Sequence, residues 1–283
     1  MNGTTPQVSI IVINYNTPDL TATLIESAVQ VTTNISFDIC VVDNGSEPDR
    51  RFKDDTTNPL LKVIVSELNL GFGKAVNLAA RNCSAPYLLF ANSDCRLVAD
   101  IIPAMAAYLD EHSDCAACSP QLIREDGSVH SSVRHFPNHR NIRHSRGSIL
   151  GARDDYTIPA DGSRKQVEAM AATFMMVRRD DFARAGGFDE RYFMYVEDTD
   201  LCLKFHQAGR HVAYLGDLTV IHRWGASTSL HPCRMRLEHH RSVKRYFYKH
   251  FPQQRFANAL LTTQLFVNLI LVSLKMLLSG RKR

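Results

Sequence analysis

The chain lacks a cysteine framework. Its seven cysteines (Cys40, Cys83, Cys95, Cys115, Cys118, Cys202, Cys233) are an odd number without scaffold spacing, which excludes a small stapled secreted fold and points to a reducing compartment. Cys115 and Cys118 form a lone CxxC. With no second pair, buried thiols are expected there rather than zinc or redox chemistry. A strong charge of one sign is also missing: the formal net charge is +4, so no nucleic-acid partner is expected. The opening "MNGTTPQ" is polar and "VSIIVI" is too short for an h-region, so no signal peptide is expected. No internal repeat is visible. With 45% hydrophobic and 22% charged residues the composition is that of a globular protein, and 283 residues suffice for one large α/β domain with an appendage.

What is present alternates between strand and helix. "VSIIVI" from Val8 is a continuous β-branched run, as in a strand buried on both faces. In "NYNTPDL", Thr17 suits an N-cap and Pro18 the first helical position, with Leu20, Leu24 and Ala28 at helical spacing. "FDICVVDNGS" is a second buried strand, "LKVIVSE" a third, and "PYLLFANSD" a fourth. A glycine turn in "NLGFGKAVNLAARN" opens a helix. This order predicts a mostly parallel, doubly wound sheet. Polar residues cluster where the strands end, at Asn14 to Asn16, Asp43 to Ser46 and Asn92 to Asp94, which is where open α/β sheets bind ligands. Asp43 and Asp94 could hold a nucleotide base or ribose and a divalent cation; alternatively, each simply starts a turn.

"GFGKAV" invites a dinucleotide reading, but Val76 replaces the third glycine and the motif follows the third strand. A tight helix–strand turn and a phosphate-facing loop both remain open. "RYFMYVEDTDLCLKFHQAG" places Glu197, Asp198 and Asp200 at a helix entry beside Tyr192, Phe193 and Tyr195. Acids in a first helical turn are favoured by the macrodipole, so Asp200 needs no further role. A carboxylate from the Glu197–Asp198 pair could take a proton from an attacking hydroxyl. His222 ends the strand "LTVIH", where it is either structural or a metal-ligating imidazole.

From Gly127 to Arg153 the texture is basic. Within it "SVHSSVRHFPNHRNIRHSRGS" carries Arg134, Arg140, Arg143 and Arg146, four histidines and no acid. Residues 129–147 are expected to form a mobile loop over an acceptor site, or a solvated surface loop. From Arg234 to Lys249 lie six lysines and arginines against Glu238 alone, followed by an apolar run to "SGRKR". The run has spanning length but is interrupted by Asn258, Thr262, Gln264, Asn268 and Lys275. A helix lying in the membrane interface is expected, with a helix packed on the catalytic domain or a dimer contact as the alternative.

The segments "VSIIVINYN", "VVDNGS", "NLGFGKAVN", "LFANSD", "ATFMMVRR", "GGFDERYFMYVEDTDLCLKFHQAG" and "IHRWGAS" together resemble a GT-A-fold glycosyltransferase of family 2, more narrowly the bacterial rhamnosyltransferases of cell-surface polysaccharide assembly. The resemblance implies a Rossmann-like GT-A domain over residues 1–230 (1–100 a nucleotide-binding half, 101–230 an acceptor half) and a basic and apolar helical tail over 231–283. It implies inverting transfer from a nucleoside-diphosphate sugar, dTDP-rhamnose from the subfamily, to a saccharide or polyprenyl-diphosphate-linked acceptor. Asn14, Asn16, Asp43, Gly71, Lys74, Asn77, Asn92 and Ser93 would bind the donor. Asp94 and His222 would hold Mn²⁺ or Mg²⁺. Asp198 would be the base and Glu197 its orienting neighbour. Many members of the family have Asp where this chain has Asn92, so the metal shell is expected to be differently filled. The expected location is the cytoplasmic face of the plasma membrane, peripheral or monotopic, with a possible homodimer. Two other readings compete: a catalytically inactive nucleotide-sugar-binding or scaffold subunit, resting on Asn92, and a nicotinamide oxidoreductase, resting on "GFGKAV" alone.

Overall fold

The computed structural model describes residues 5–53, 58–144, 161–223 and 232–280. The first half follows the β-branched runs: β1 (Val8–Asn14), α1 (Pro18–Val31), β2 (Phe37–Asn44), β3 (Leu61–Ser66), α2 (Phe72–Ala80) and β4 (Tyr87–Asn92), then a short β5 (Cys95–Arg96) and α3 (Ile102–Glu111). The second half contains β6 (Cys115–Ile123), β7 (Val129–His130), β8 (Val133–Arg134), β9 (Arg164–Val167), β10 (Ala169–Met170), β11 (Phe174–Arg178), α4 (Arg179–Arg184), α5 (Glu197–Gln207) and β12 (His211–His222). Two long helices follow, α6 (Pro232–His250) and α7 (Arg255–Gly280).

The main sheet runs β3-β2-β1-β4-β11-β6-β12-β5. β1 lies parallel to β2 and β4, and β2 parallel to β3. β11 is antiparallel to both β4 and β6, so the sheet is mixed but mostly parallel. β1 and β2 are buried on both faces: Val8, Ile10, Val12, Ile39 and Val41 pack with α1 and α3, while Ile11, Cys40 and Val42 pack with α2, α4 and α5. β3 departs from a fully buried strand. It is the sheet edge, and Val65 is 50% exposed. Cys115 and Cys118 are buried free thiols on β6, as the lone CxxC suggested.

Register fixes the site's geometry. Asn14 is level with Asp43, and Ile13 with Asn92, so the parallel strands end together on one edge. At the other side of the sheet His222 pairs with Cys95, which draws the end of β12 against Asp94.

The basic segment is more ordered than a mobile loop as far as residue 144. β8 pairs with β10, His139 bonds to Asn258 at 2.8 Å, and the Asn141 side chain donates to the Phe136 carbonyl at 2.9 Å. Each of these contacts anchors the segment to another part of the fold or to itself. Arg146 and the rest of 145–147 lie outside the described residues.

The two tail helices differ in how they pack. On α6, Val243, Tyr246 and Phe247 join Tyr192, Val196 and Leu261 in a third buried cluster. This packs α6 and the start of α7 onto the segment that leads into α5. α7 has its polarity inverted. Asn258 is buried and Asn268 bonds to His240 and Arg236, whereas Phe256 and Phe266 are 84% and 62% exposed and Leu260, Val267, Ile270 and Leu271 also face outward.

Candidate active site

The strand ends form two linked sets of side chains. In the first, Asn14 donates to Asp43 at 2.6 Å and to the Ser46 hydroxyl at 3.1 Å, while Thr21 donates to Asn14 at 2.9 Å. Asp43 also accepts the backbone N–H groups of Ser46 and Phe52. It is fully buried with both oxygens engaged. Asp43 therefore shapes the loop that a nucleotide would meet rather than projecting into the crevice. Asn16 has φ +58 and accepts the Glu47 N–H, locking the loop after β1 to the loop after β2. Thr17 makes no side-chain cap. Its hydroxyl instead lies 3.0 Å from that of Ser93, joining the ends of β1 and β4.

The glycine turn resolves toward its structural reading. Gly71 has φ +83, and a Cβ there would meet the Phe193 carbonyl oxygen at 2.2 Å, so only glycine fits. Phe72 N donates to that same carbonyl at 2.9 Å. Asn77, expected to touch the donor, instead donates to the Phe188 carbonyl, accepts the Phe188 N–H, and reaches Glu190. Its amide is spent on holding the 188–190 segment. Gly71 and Asn77 thus support the acidic stretch, and of this motif Lys74 alone is exposed.

In the second set, Asp94 and His222 are both buried, with Oδ1 and Nε2 3.2 Å apart. One oxygen and one imidazole nitrogen at this spacing suit a shared Mn²⁺ or Mg²⁺. Among the described residues no group of three or more His, Cys, Asp and Glu could hold a metal ion. A cation held here would take its remaining ligands from substrate and water. His130 lies against His222, ring centroids 5.7 Å apart, and burial pushes its pKa down to about 4, so it is neutral at pH 7.

The carboxylate pair begins α5 after a strained turn. Tyr195 and Val196 have φ +70 and +68. A β-branched residue in this region is a genuine outlier, maintained only where surrounding structure over-determines it. Two clamps do so: Phe193 is bonded to Phe72 on one side, and Ser242 of α6 donates to the Met194 carbonyl at 2.8 Å on the other. Past the turn, Asp198 Oδ2 accepts Arg134 at 2.8 Å and Ala172 N at 3.4 Å, and Oδ1 accepts Thr199 N at 2.7 Å. The next residue, Thr173, accepts the Asn92 N–H at 2.8 Å. Two consecutive residues therefore bridge the Asp198 carboxylate to the end of β4, one position from Ser93 and two from Asp94. Arg134 was placed by sequence in a basic loop. The signal that could have found it is the apolar Val133 beside it, which fits a short strand.

Glu197 is buried, and its Oε2 has no hydrogen-bond partner among the described residues. Burial, then the neighbouring Asp198 charge, pushes its pKa up to about 8. The folded state thus keeps a proton that the unfolded chain releases near pH 4–5. Stability must fall as pH rises from about 4.5 toward 8, because the native state binds more protons across that window. Glu197→Gln removes this loss. Its melting temperature, relative to the parent chain, should rise with pH through that window, a single pKa unit being worth about 1.4 kcal/mol. Thermal melts from pH 4 to 9 check this, and a parent chain that gains on the Gln variant with rising pH would contradict it.

The profile described as Glycosyl transferase family 2 matches residues 9–185. The chain is 28% identical over 236 residues to the N-acetylglucosaminyl-diphospho-decaprenol L-rhamnosyltransferase of Mycobacterium tuberculosis, covering 77% of this chain and 76% of that protein. It is 35% identical over 163 residues to rhamnosyltransferase WbbL of Escherichia coli K12, covering 54% and 60% respectively. In fold it is similar to the mannosyltransferase PcManGT of Pyrobaculum calidifontis, solved with GDP-Man and Mn²⁺ (TM-score 0.58, 14% identity, 99% of this chain and 81% of that one). It is also similar to GalNAc-T7, solved with UDP, GalNAc and Mn²⁺ (TM-score 0.59, 15% identity), of which it spans 44% while 78% of this chain is covered.

Proposed function

The chain belongs to glycosyl transferase family 2 and is a glycosyltransferase, and on that premise we propose that it transfers rhamnose from dTDP-rhamnose to a sugar carried on a polyprenyl diphosphate. The observation that carries this reading is the bridge through Ala172 and Thr173, which ties Asp198 to the strand end bearing Ser93 and Asp94. A proton acceptor and a diphosphate-binding edge are thereby held together, as attack on an anomeric carbon requires.

In this mechanism Asn14, Asn16, Asp43 and Ser46 set the loops around the nucleotide, and Lys74 is an exposed cation at the glycine turn. Asp94 and His222 would hold the divalent cation, which when bound supplies positive charge to the leaving diphosphate. Asn92 would add an amide oxygen close by. Asp198 takes the proton of the acceptor hydroxyl as that oxygen attacks the anomeric carbon from the face opposite the diphosphate. Arg134 and Thr199 fix the carboxylate's orientation before the substrates arrive. The strained turn at Tyr195–Val196 aims it.

The acceptor class rests on what the mycobacterial relative's name states, and α7 supports it physically. The 18-residue window Arg255–Val272 has mean hydropathy 1.4 and is 17% buried, enough by length and composition to cross a membrane. Its asparagines turn toward the protein, leaving an outward apolar face suited to lie among lipid chains at the cytoplasmic surface.

The test is transfer of radiolabelled rhamnose to N-acetylglucosaminyl-diphospho-polyprenol. Label should enter the lipid fraction, stop with excess EDTA and return with Mn²⁺ or Mg²⁺. No transfer from any of a panel of nucleotide sugars would overturn the reading, and full activity in EDTA would remove the metal from it.

A further inference from the structure

A concave groove of about 720 Å³ lies between α6 and the segment 191–193. α6 contributes Arg241, Lys244, Arg245 and Tyr248, and Arg191 and Phe193 form the opposite wall. Most of the charges there are matched. Arg191 and Lys249 both pair with Asp189, Lys249 also pairs with Asp200, and Arg241 pairs with Glu238. Lys244 and Arg245 are different. Both are exposed, and neither has a carboxylate partner among the described residues. Instead their charged groups sit over aromatic rings, Lys244 5.6 Å from the centroid of Tyr248 and Arg245 5.8 Å from that of Tyr192.

Uncompensated cations held against low-dielectric aromatic walls in a concavity concentrate positive potential. A guanidinium and an ammonium lining one groove suit phosphate oxygens, which both groups bind through charge-assisted hydrogen bonds. A diphosphate diester, doubly charged, matches the unmatched pair. The groove also adjoins the chemistry. Its wall residue Phe193 accepts the Phe72 N–H at the glycine turn, its floor residue Ser242 bonds to Met194, and the same segment runs on into Glu197 and Asp198.

We propose that this groove binds the diphosphate of the lipid-linked acceptor, presenting the attached sugar toward Asp198. The assignment rests on the acceptor class proposed above but can be tested without turnover. The probe is farnesyl diphosphate, titrated calorimetrically in saturating dTDP so that the donor site is filled. The parent chain should bind it, and Lys244→Ala/Arg245→Ala should bind it at least about tenfold more weakly, the loss expected for charge-assisted contacts. dTDP affinity should stay within about twofold. Flotation with phosphatidylcholine vesicles containing phosphatidylglycerol should be unchanged by the substitutions. Equal farnesyl diphosphate affinity in both proteins would overturn the proposal. So would loss of vesicle flotation with farnesyl diphosphate binding retained, which would make the groove a headgroup site. The milder Lys244→Gln/Arg245→Gln variant, with its circular dichroism spectrum and melting temperature, repeats the measurement should the Ala variant fold poorly. Failure of rhamnose transfer with farnesyl diphosphate binding intact would count against the proposed reaction and leave the groove standing.

Discussion

Asp198→Asn should lower turnover by at least ~10², the low end of a general base's contribution, with donor affinity and folding preserved. The amide keeps the shape of the carboxylate, but its single oxygen can replace either Oδ2, which accepts from Arg134, or Oδ1, which accepts from the Thr199 N–H, so one contact is given up and the helix packing of α5 holds it in place. What it loses is the capacity to take a proton. Initial rates at saturating donor and acceptor, alongside dTDP titration, separate the two effects. Turnover close to that of the parent chain would rule Asp198 out as the base. Loss of dTDP binding would instead mean that the Arg134 pairing organises the whole crevice.

The second large effect lies in the support behind the site. Asp200, in the first turn of α5, is fully buried and accepts Lys249 at 2.7 and 2.8 Å, His250 at 2.7 Å and the Tyr192 hydroxyl at 3.2 Å. Lys249 also reaches Asp189 at 2.9 Å. Lys249→Met removes the cation that Asp200 and Asp189 share, leaving Asp200 with His250 and Tyr192 and Asp189 with Arg191, and removing one partner of a buried ion pair costs about 3–5 kcal/mol. For a chain of this size that corresponds to a melting temperature lower by very roughly 10 °C. Replacing both partners, Asp200→Asn with Lys249→Met, should recover much of the loss, because no buried charge is then left alone.

The pH dependence follows from the directions of the shifts. Burial pushes Asp200 up, but His250 and Lys249 outweigh it and hold the carboxyl below the usual range. Arg191, then Lys249, holds Asp189 well below it. An acid whose folded pKa is lowered contributes stability above its unfolded value, near pH 4, and loses it as pH falls through the folded value. Parent chain and Lys249→Met should therefore differ most at neutral pH, and the gap should start to narrow as pH falls below about 4. Urea midpoints at pH 7 and pH 3.5 check this, and a gap that widens in acid would contradict it.

The elements that were legible are those with strong local signals. The β-branched runs at Val8 and Phe37 became buried strands because their side chains face helices on both sides. Pro18 opened its helix as the missing N–H allows. Strand order and direction were not legible. Nothing in "LKVIVSE" says that it lies at an edge, and nothing in "FMMVR" says that it runs antiparallel, since both depend on the connections between strands. The polar residues at the strand ends were legible as a cluster, and the register does bring Asn14, Asp43 and Asn92 to one edge of the sheet. Individual roles were harder, because sequence position does not say where a side chain points. Asp43, Gly71 and Asn77 proved to be framing residues whose polar groups are used within the protein. Arg134 and Lys249 escaped notice because each acquires its meaning from a carboxylate 64 or 49 residues away.

The strained turn before Glu197 has a consequence for synthesis of the chain. One of its clamps, Phe72, is translated long before the turn, and the other, Ser242, well after it. A nascent chain ending short of α6 already contains the sheet and both carboxylates, yet nothing from α6 holds Met194 or neutralises Asp200. Such a chain carries every residue assigned to the reaction without the geometry to use them. Transferase activity should therefore switch on late in translation, with the docking of α6, and newly made, incomplete chains should be silent toward the donor even where they can bind it.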